Sequence, residues 1–276
     1  MVFAPLVEMN DGRSIPVIGF GVWQVPDDVV VDATLKALEV GYRHIDTAYL
    51  YLNERGVGEA LRRSGLDRDD VFVTTKVWNT DHGYDETLRA FDKSTGLLGI
   101  DEVDLYLIHW PTPARDIYLD SWRALIRLRE EGRARSIGVS NFHEQHLRKI
   151  IDETGVIPAI NQIELHPWLP QTQMRDVDAR LGIKTEAWSP LGSGRLIEDP
   201  VIAGIAAKHG VSTAQVMVRW SMQLGNIVLP KSVTPSRIEQ NIDVFDFVLD
   251  DADMAAIASL ESGRRTGPNP DDFNEA

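Results

Sequence analysis

The chain contains no cysteine. Disulfides, thiolate nucleophiles, iron–sulfur clusters and cysteine-built zinc sites are therefore excluded. Positive charge is also scarce: 28 Lys+Arg stand against 42 Asp+Glu, for a net charge of −14. Nucleic acid and anionic membranes both need a basic footprint, so neither is an expected partner. A local basic pocket for an anionic cofactor is still compatible with this balance. No stretch approaches the roughly 18 consecutive apolar residues that suggest a membrane-spanning helix. The opening, MVFAPLVEMNDGRSIP, has no basic segment leading into an apolar run, so no secretory signal is expected. These features set the expectation of a cytoplasmic protein.

At 276 residues the chain can bury a core without staples. That length suits two ordinary domains or one α/β barrel of about 250 residues. No low-complexity linker interrupts residues 1–260, so a single domain over 1–276 is expected. Its last part, 262–276, is rich in Gly, Pro, Asp and Asn and reads as a C-terminal arm, solvated or draped over the body.

Eight short apolar, β-rich runs are spaced along the chain: Val17–Trp23, His44–Thr47, Val71–Lys76, Val103–Trp110, Ser136–Ser140, Ile160–Leu165, Lys184–Ser189 and Ile227–Lys231. Several are apolar without alternation, as strands covered on both faces are. Helical periodicity fills the gaps. Tyr84, Leu88, Phe91, Thr95 and Leu98 form a stripe that stops at Gly99. Asp120 or Ser121 can cap a helix carrying Trp122, Leu125, Ile126 and Arg129, stopped by Gly132. Pro200–His209 and a helix capped by Ser212 follow the seventh run. Thr234-Pro235 opens another after the eighth, with Ile238, Ile242 and Phe245 on one side.

Strand–helix alternation without hairpin runs predicts an α/β fold, a closed (β/α)8 TIM barrel. An N-terminal β-hairpin over Leu6–Ile18, turning at Asn10-Asp11-Gly12, is expected to plug its lower end. Extra helices are expected after strands seven and eight. The runner-up, an open doubly wound sheet, usually carries G-x-G-x-x-G after its first strand when it binds a dinucleotide. Gly56-Val57-Gly58 lacks the third glycine and lies inside a helical pattern, so it reads as helix packing.

A barrel places its active site at the C-terminal ends of its strands. Polar or ionisable groups stand at those ends: Asp46, Lys76, His109, Ser140 with Asn141, Gln162, Ser189 and Lys231 with Ser232. At the last, Lys231-Ser232-Val233-Thr234-Pro235 runs into a helix N-terminus, where free N–H groups and the dipole favour an anion. Lys231 adds a point charge there, and Arg237 can fork onto phosphate oxygens.

GYRHIDTAYLYLNERGVGEAL (41–61), TTKVWN (74–79), DLYLIHWP (104–111), IGVSNF (137–142), NQIELHP (161–167), SPLGSG (189–194) and LPKSVTPSRIEQNIDVFDF (229–247) resemble the aldo-keto reductase superfamily. The match runs in order through about residues 12–260. The compact loops after strands four and seven make the chain similar to the prokaryotic branch that includes 2,5-diketo-D-gluconate reductases.

The resemblance implies NADPH-dependent reduction of aldehydes or ketones, such as small dicarbonyls and keto sugars, by a monomer. It carries the catalytic roles onto Asp46, Tyr51, Lys76 and His109. Tyrosine is a weak acid, at about pKa 10. A nearby ammonium lowers that value, a carboxylate keeps the ammonium charged, and a histidine can donate to the carbonyl oxygen. Tyr51 is accordingly expected as proton donor, tuned by Lys76. Ser140, Asn141 and Gln162 are implied at the nicotinamide carboxamide, with Trp188 stacked on the ring. Ser189 and the loop with Leu191, Gly192 and Ser193 fold over the pyrophosphate. Lys231, Ser232, Val233, Arg237, Gln240 and Asn241 fall at the 2′-phosphate and adenine. Trp23, Trp78, Asn79 and Trp110 are expected around the substrate, with Val22 beside them on the cofactor side. The short loops 112–119 and 192–200 should leave the pocket wide and wet. Arg264 and Arg265 are either solvated or placed to meet an anionic substrate. No metal site is expected; His143 and His146 lack further ligands and a cleft. Competing readings are a non-catalytic NADPH-binding module on the same barrel and a barrel hydrolase or aldolase using Lys76 as a Schiff base.

Overall fold

A computed structural model describes residues 4–275; Met1–Phe3 and the arm's final Ala276 lie outside the described residues. Strands β1 (Leu6–Glu8) and β2 (Ser14–Pro16) pair antiparallel. Gly12, at φ +80°, makes the turn between them. Eight parallel strands follow: β3 (Phe20–Gly21), β4 (His44–Asp46), β5 (Phe72–Val77), β6 (Val103–Ile108), β7 (Ala134–Ser140), β8 (Ile160–Glu164), β9 (Lys184–Trp188) and β10 (Ile227–Leu229). Each of the eight lies within two residues of the run expected for it, apart from β3, which is shorter than Val17–Trp23.

Neighbours in the sheet follow chain order from β3 to β10. The ring closes where Ile18 bridges Val228 in parallel. Gly19 N–H donates to Val228 O at 2.9 Å, and Val228 N–H to Val17 O at 3.0 Å. The structure is therefore the closed barrel rather than the open sheet.

Strand β6 shows why the runs read as apolar throughout. Tyr106 and Ile108 pack among the outer helices with Phe91, Trp122 and Leu125. Leu105 and Leu107 point the other way, onto Met9 and Ile15 of the hairpin and Ile160 and Ile227. Alternate side chains thus fill two apolar cores. The hairpin closes the lower end of the barrel, as expected.

The helices are α1 (Asp27–Val40), α2 (Glu54–Arg63), α3 (Tyr84–Leu98), α4 (Tyr118–Glu130), α5 (Glu144–Thr154), α6 (Thr172–Leu181), α7 (Pro200–His209), α8 (Thr213–Gln223), α9 (Pro235–Ile242) and α10 (Asp251–Ala258). Helices α7 and α8 both follow β9, and α9 and α10 both follow β10. Asp199 caps α7, and Ser212 with Gln215 forms a reciprocal box at α8. One start differs from expectation. Helix α4 begins at Tyr118, not after Asp120 or Ser121. The Ser121 hydroxyl lies inside it and accepts Gly83 N–H at 2.9 Å, so it serves the entry to α3 instead.

Gly58 allows α2 to lie against the end of α3. A Cβ there would stand 2.1 Å from the Leu98 carbonyl oxygen. Gly58→Ala is therefore expected to lower stability by about 1–3 kcal/mol through overpacking, read as a lower urea midpoint at unchanged slope. An unchanged midpoint would show that the helices part without cost.

Candidate active site

The site is built on a short stretch of irregular chain. Tyr49–Tyr51 make one 3-10 turn, which Leu52 ends at φ +57°. Asn53 then ties two loops together. Its amide donates to Val22 O and Val25 O at 2.9 Å each and accepts the Thr47 hydroxyl. Trp23, carried by the first loop, is thereby set against Tyr51 with ring centroids 4.7 Å apart.

Lys76 projects from β5 and is fully buried. Its ammonium donates to Asp46 Oδ1 at 2.7 Å and to Thr47 O at 2.9 Å, and stands 3.5 Å from the Tyr51 hydroxyl. Burial alone would lower the lysine, but Asp46, Tyr51 and Glu186 together outweigh burial and hold the group above its ordinary value. Lys76 is thus a fixed cation. The tyrosine departs from expectation. Burial raises it, Lys76 lowers it, and burial wins, leaving the phenol pushed up to about 12. Lys76 restrains the rise rather than producing a net fall, so Tyr51 keeps its proton at neutral pH.

His109 completes the group, its ring centroid 5.6 Å from that of Tyr51 and 5.1 Å from that of Trp78. Burial and then Lys76 hold it well below the usual histidine range, so it is neutral. Its carbonyl accepts the Asn141 amide at 3.0 Å. That amide also donates to the Ser140 hydroxyl, which in turn donates to Gln162 O. The Trp188 indole N–H donates to Asn141 Oδ1 at 2.9 Å. Ser140, Asn141, Gln162 and Trp188 therefore form one connected wall. Gln162 turns its NH2 inward, to Asp46 Oδ2 at 2.8 Å and Glu186 Oε2 at 2.7 Å.

Beyond this wall, Ser189 and Ser193 adopt positive φ in a turn with Leu191 and Gly192. The 3.5 Å approach of the two hydroxyls helps define its shape. On the β10 side, Lys231, Val233, Arg237 and Gln240 are exposed, while Ser232 and Asn241 are buried. The Ser232 hydroxyl accepts Thr234 N–H at the start of α9. Neither Lys231 nor Arg237 has an ion-pair partner among the described residues, unlike many of the chain's other cations.

Two of the expected contact residues are buried and have partners within the protein. Val22 is fully buried, its N–H donates to Asp46 O, and its carbonyl accepts Asn53, so nothing of it is left for a ligand. Asn79 is also fully buried and donates to Glu275 O at 2.6 Å, so it ties the arm to the turn after β5.

The arm is draped over the mouth. Thr266 N–H and hydroxyl and Gly267 N–H all donate to Glu164, the buried last residue of β8. Thr266 Oγ1 also accepts Ser193 at 3.1 Å, and Phe273 packs on Trp110 with centroids 4.6 Å apart. Asp271 pairs with His143 at 2.9 Å. The short loops therefore do not leave the pocket wide, because the arm supplies the missing wall. Arg265 approaches Glu164 at 3.7 Å and Arg264 lies over Trp168 at 4.5 Å, so both are engaged within the arm's own seat.

Sequence reasoning missed Glu186, Glu164, Asn53 and Phe273. A signal existed for Glu186: it is an acid inside an otherwise strand-like run, at an inward position of β9.

The Aldo/keto reductase family model matches residues 17–262. An aldo-keto reductase of Mycobacterium sp. (strain KMS) is 58% identical over 271 residues, covering 98% of this chain and 98% of that one. The methylglyoxal reductase DkgA of Escherichia coli (strain K12) is 48% identical over 270 residues, covering 97% and 98%. The crystal structure of a Gox0644 variant in complex with NADPH superposes with a TM-score of 0.94 at 47% identity, covering 98% of each chain. The chain belongs to the aldo/keto reductase family.

Glu164 generates a prediction about the arm. Burial raises its carboxyl, but hydrogen bonds from His166 and Thr266 outweigh it and hold the group below its usual range. Its stabilisation is present above the unfolded value of about 4.3 and is lost as pH falls through the lower folded value. Pepsin should therefore begin to trim residues 262–275 only below about pH 4. Glu164→Ala should expose the same segment to proteases at neutral pH with the far-UV spectrum unchanged. An arm equally protected in that variant would remove Glu164 as its anchor.

Proposed function

We propose that the protein reduces small aldehydes and ketones to alcohols with NADPH, one chain supplying the whole site. The observation that carries this is the chain of contacts Asp46–Lys76–Tyr51 beneath His109: a charged, buried ammonium 3.5 Å from a phenol that keeps its proton. When bound, NADPH supplies hydride to the carbonyl carbon.

The residues present suit that cofactor. The Asn141 and Gln162 amides and the Ser140 hydroxyl offer hydrogen-bonding groups to a carboxamide, and the Trp188 indole offers a face for stacking. Lys231 and Arg237, exposed and without an ion-pair partner among the described residues, stand before and within the first turn of α9, which suits a phosphate ester. Loop 191–194 joins the two ends. Preference for NADPH over NADH rests on Lys231 and Arg237.

Tyr51 donates its O–H proton to the carbonyl oxygen as the carbon accepts hydride. The Lys76 ammonium stabilises the phenolate left behind, and Asp46 keeps Lys76 charged and oriented. Neutral His109 donates its ring N–H to the same oxygen and orients the substrate. Trp23, Trp78 and Trp110 supply apolar walls with few polar groups, which suits small and flat carbonyl compounds. The name of the Escherichia coli relative makes methylglyoxal a natural first substrate. The intact proton-donor group argues against a purely nucleotide-binding role.

Loss of NADPH absorbance on adding methylglyoxal or phenylglyoxal tests the reading. Tyr51→Phe should slow turnover at least about 100-fold while NADPH affinity is retained. Near-wild-type turnover in that variant would take Tyr51 out of the mechanism.

A further inference from the structure

Below Tyr51 the barrel interior holds a second carboxyl that the proposed mechanism does not use. Glu186 is fully buried on β9, in register with Gln162 of β8. One amide nitrogen, Gln162 Nε2, bridges Glu186 Oε2 at 2.7 Å and Asp46 Oδ2 at 2.8 Å. The other Glu186 oxygen, Oε1, has no hydrogen-bond partner. It faces His44 Nδ1 at 3.9 Å, which also has none.

Charge counting makes this layer unusual. The groups facing Glu186 are Asp46 and His44 from β4, Lys76 from β5, Tyr51 above and the uncharged Gln162 from β8. Gly19 and Leu229 close the β3–β10 side around His44. Lys76 is the only cation among them, because burial holds His44 down at about 3. With both carboxylates ionised, a sealed, desolvated layer would carry one uncompensated negative charge, which is costly. The ammonium pairs with Asp46 at 2.7 Å and makes no ion pair with Glu186 among the described residues. Glu186 is therefore the acid that retains a proton, and its carboxyl is pushed up to about 8, by burial first and the Asp46 charge second. Tyr51 titrates far above neutrality and His44 far below it, so Glu186 alone in this layer responds near neutral pH.

We propose that Glu186 sets the balance between oxidised and reduced cofactor: its carboxyl stays neutral beside the uncharged reduced ring and releases its proton to solvent when the cationic ring of NADP+ binds at Gln162. This rests on the NADPH reading above, which places the ring at the other end of the same Gln162 amide. A cation there is the counter-charge the layer lacks. Bound NADP+ lowers the Glu186 pKa, and ionised Glu186 favours NADP+; the two effects are one linkage. NADP+ is thus bound more tightly, relative to NADPH, as pH rises through the Glu186 range. Protonation of the shared 2′-phosphate acts on both dinucleotides and cancels in their ratio.

Dissociation constants of NADP+ and NADPH, from quenching of tryptophan fluorescence between about pH 6.5 and 9.5, test this. The ratio Kd(NADP+)/Kd(NADPH) should fall about tenfold with rising pH in the wild type and stay flat in Glu186→Gln. That variant keeps an acceptor for Gln162 but cannot ionise. A second measurement needs no variant. Calorimetric titration of the wild type near neutral pH, in two buffers of different ionisation enthalpy, should show proton release with NADP+ and none with NADPH. A pH-independent ratio, or equal release with both dinucleotides, overturns the assignment to Glu186 and leaves the NADPH reading standing. Failure of both dinucleotides to bind overturns that reading and this inference with it.

Discussion

A lysine ammonium with no access to water is the constraint around which this molecule is arranged. Lys76 would lose its charge in an apolar barrel, because desolvation disfavours the cation. Three oxygens from neighbouring segments prevent that: Asp46 Oδ1, Thr47 O and, at longer range, the Tyr51 hydroxyl. Each depends on strand register. Asp46 lies opposite Thr74 in the β4–β5 ladder and Lys76 opposite Leu107 in the β5–β6 ladder. A slip of one residue would turn Lys76 out among the helices and bring Thr75 or Val77 inward. The ion pair of Asp46 and Lys76 thus sits in the layer where these strands finish, above the apolar cluster of Met9, Ile15, Leu105 and Leu107 at the hairpin end.

The segments above that layer are fixed by side chains rather than by regular structure. Asn53 spans the loops after β3 and β4, Asn141 links His109 to Trp188, and Glu164 collects the arm. Each is a buried polar group that uses several hydrogen bonds to hold irregular backbone, as buried polar groups must. The bond between Thr266 and Ser193 joins the arm to the loop assigned to the pyrophosphate. Arm and loop are thereby held together, while Phe273 bears on Trp78 and Trp110 at the mouth.

Much of this was legible in the sequence, for physical reasons. Strands covered on both faces leave unbroken apolar runs, so all eight were found. Helices α3, α7, α8 and α9 announce themselves through stripes and caps. Helix α4 showed its stripe but not its start, because Ile117 before it has no side-chain cap and Ser121 serves another segment. Asp46, Lys76 and His109 stand out because strand ends concentrate polar groups in this fold, whereas Tyr51, in the turn beyond β4, was supplied by the family resemblance. What escaped was long-range. Nothing local tells that Asn79 faces Glu275, 196 residues away, or that Glu164 meets Thr266 across 102. The sign of the Tyr51 shift escaped too, since it depends on how deeply the ring is enclosed, which spacing along the chain does not encode.

The central claim is that enclosure outweighs the neighbouring ammonium, so Tyr51 is a phenol that gives up its proton only in the reaction. Carbon-13 NMR of ring-labelled tyrosine reads this directly, with the Tyr51 signal assigned by its loss in Tyr51→Phe. Its Cζ resonance should remain that of a phenol through neutral pH and move only near pH 12. A phenolate shift for Tyr51 below about pH 10, the ordinary value of the side chain, would contradict the account.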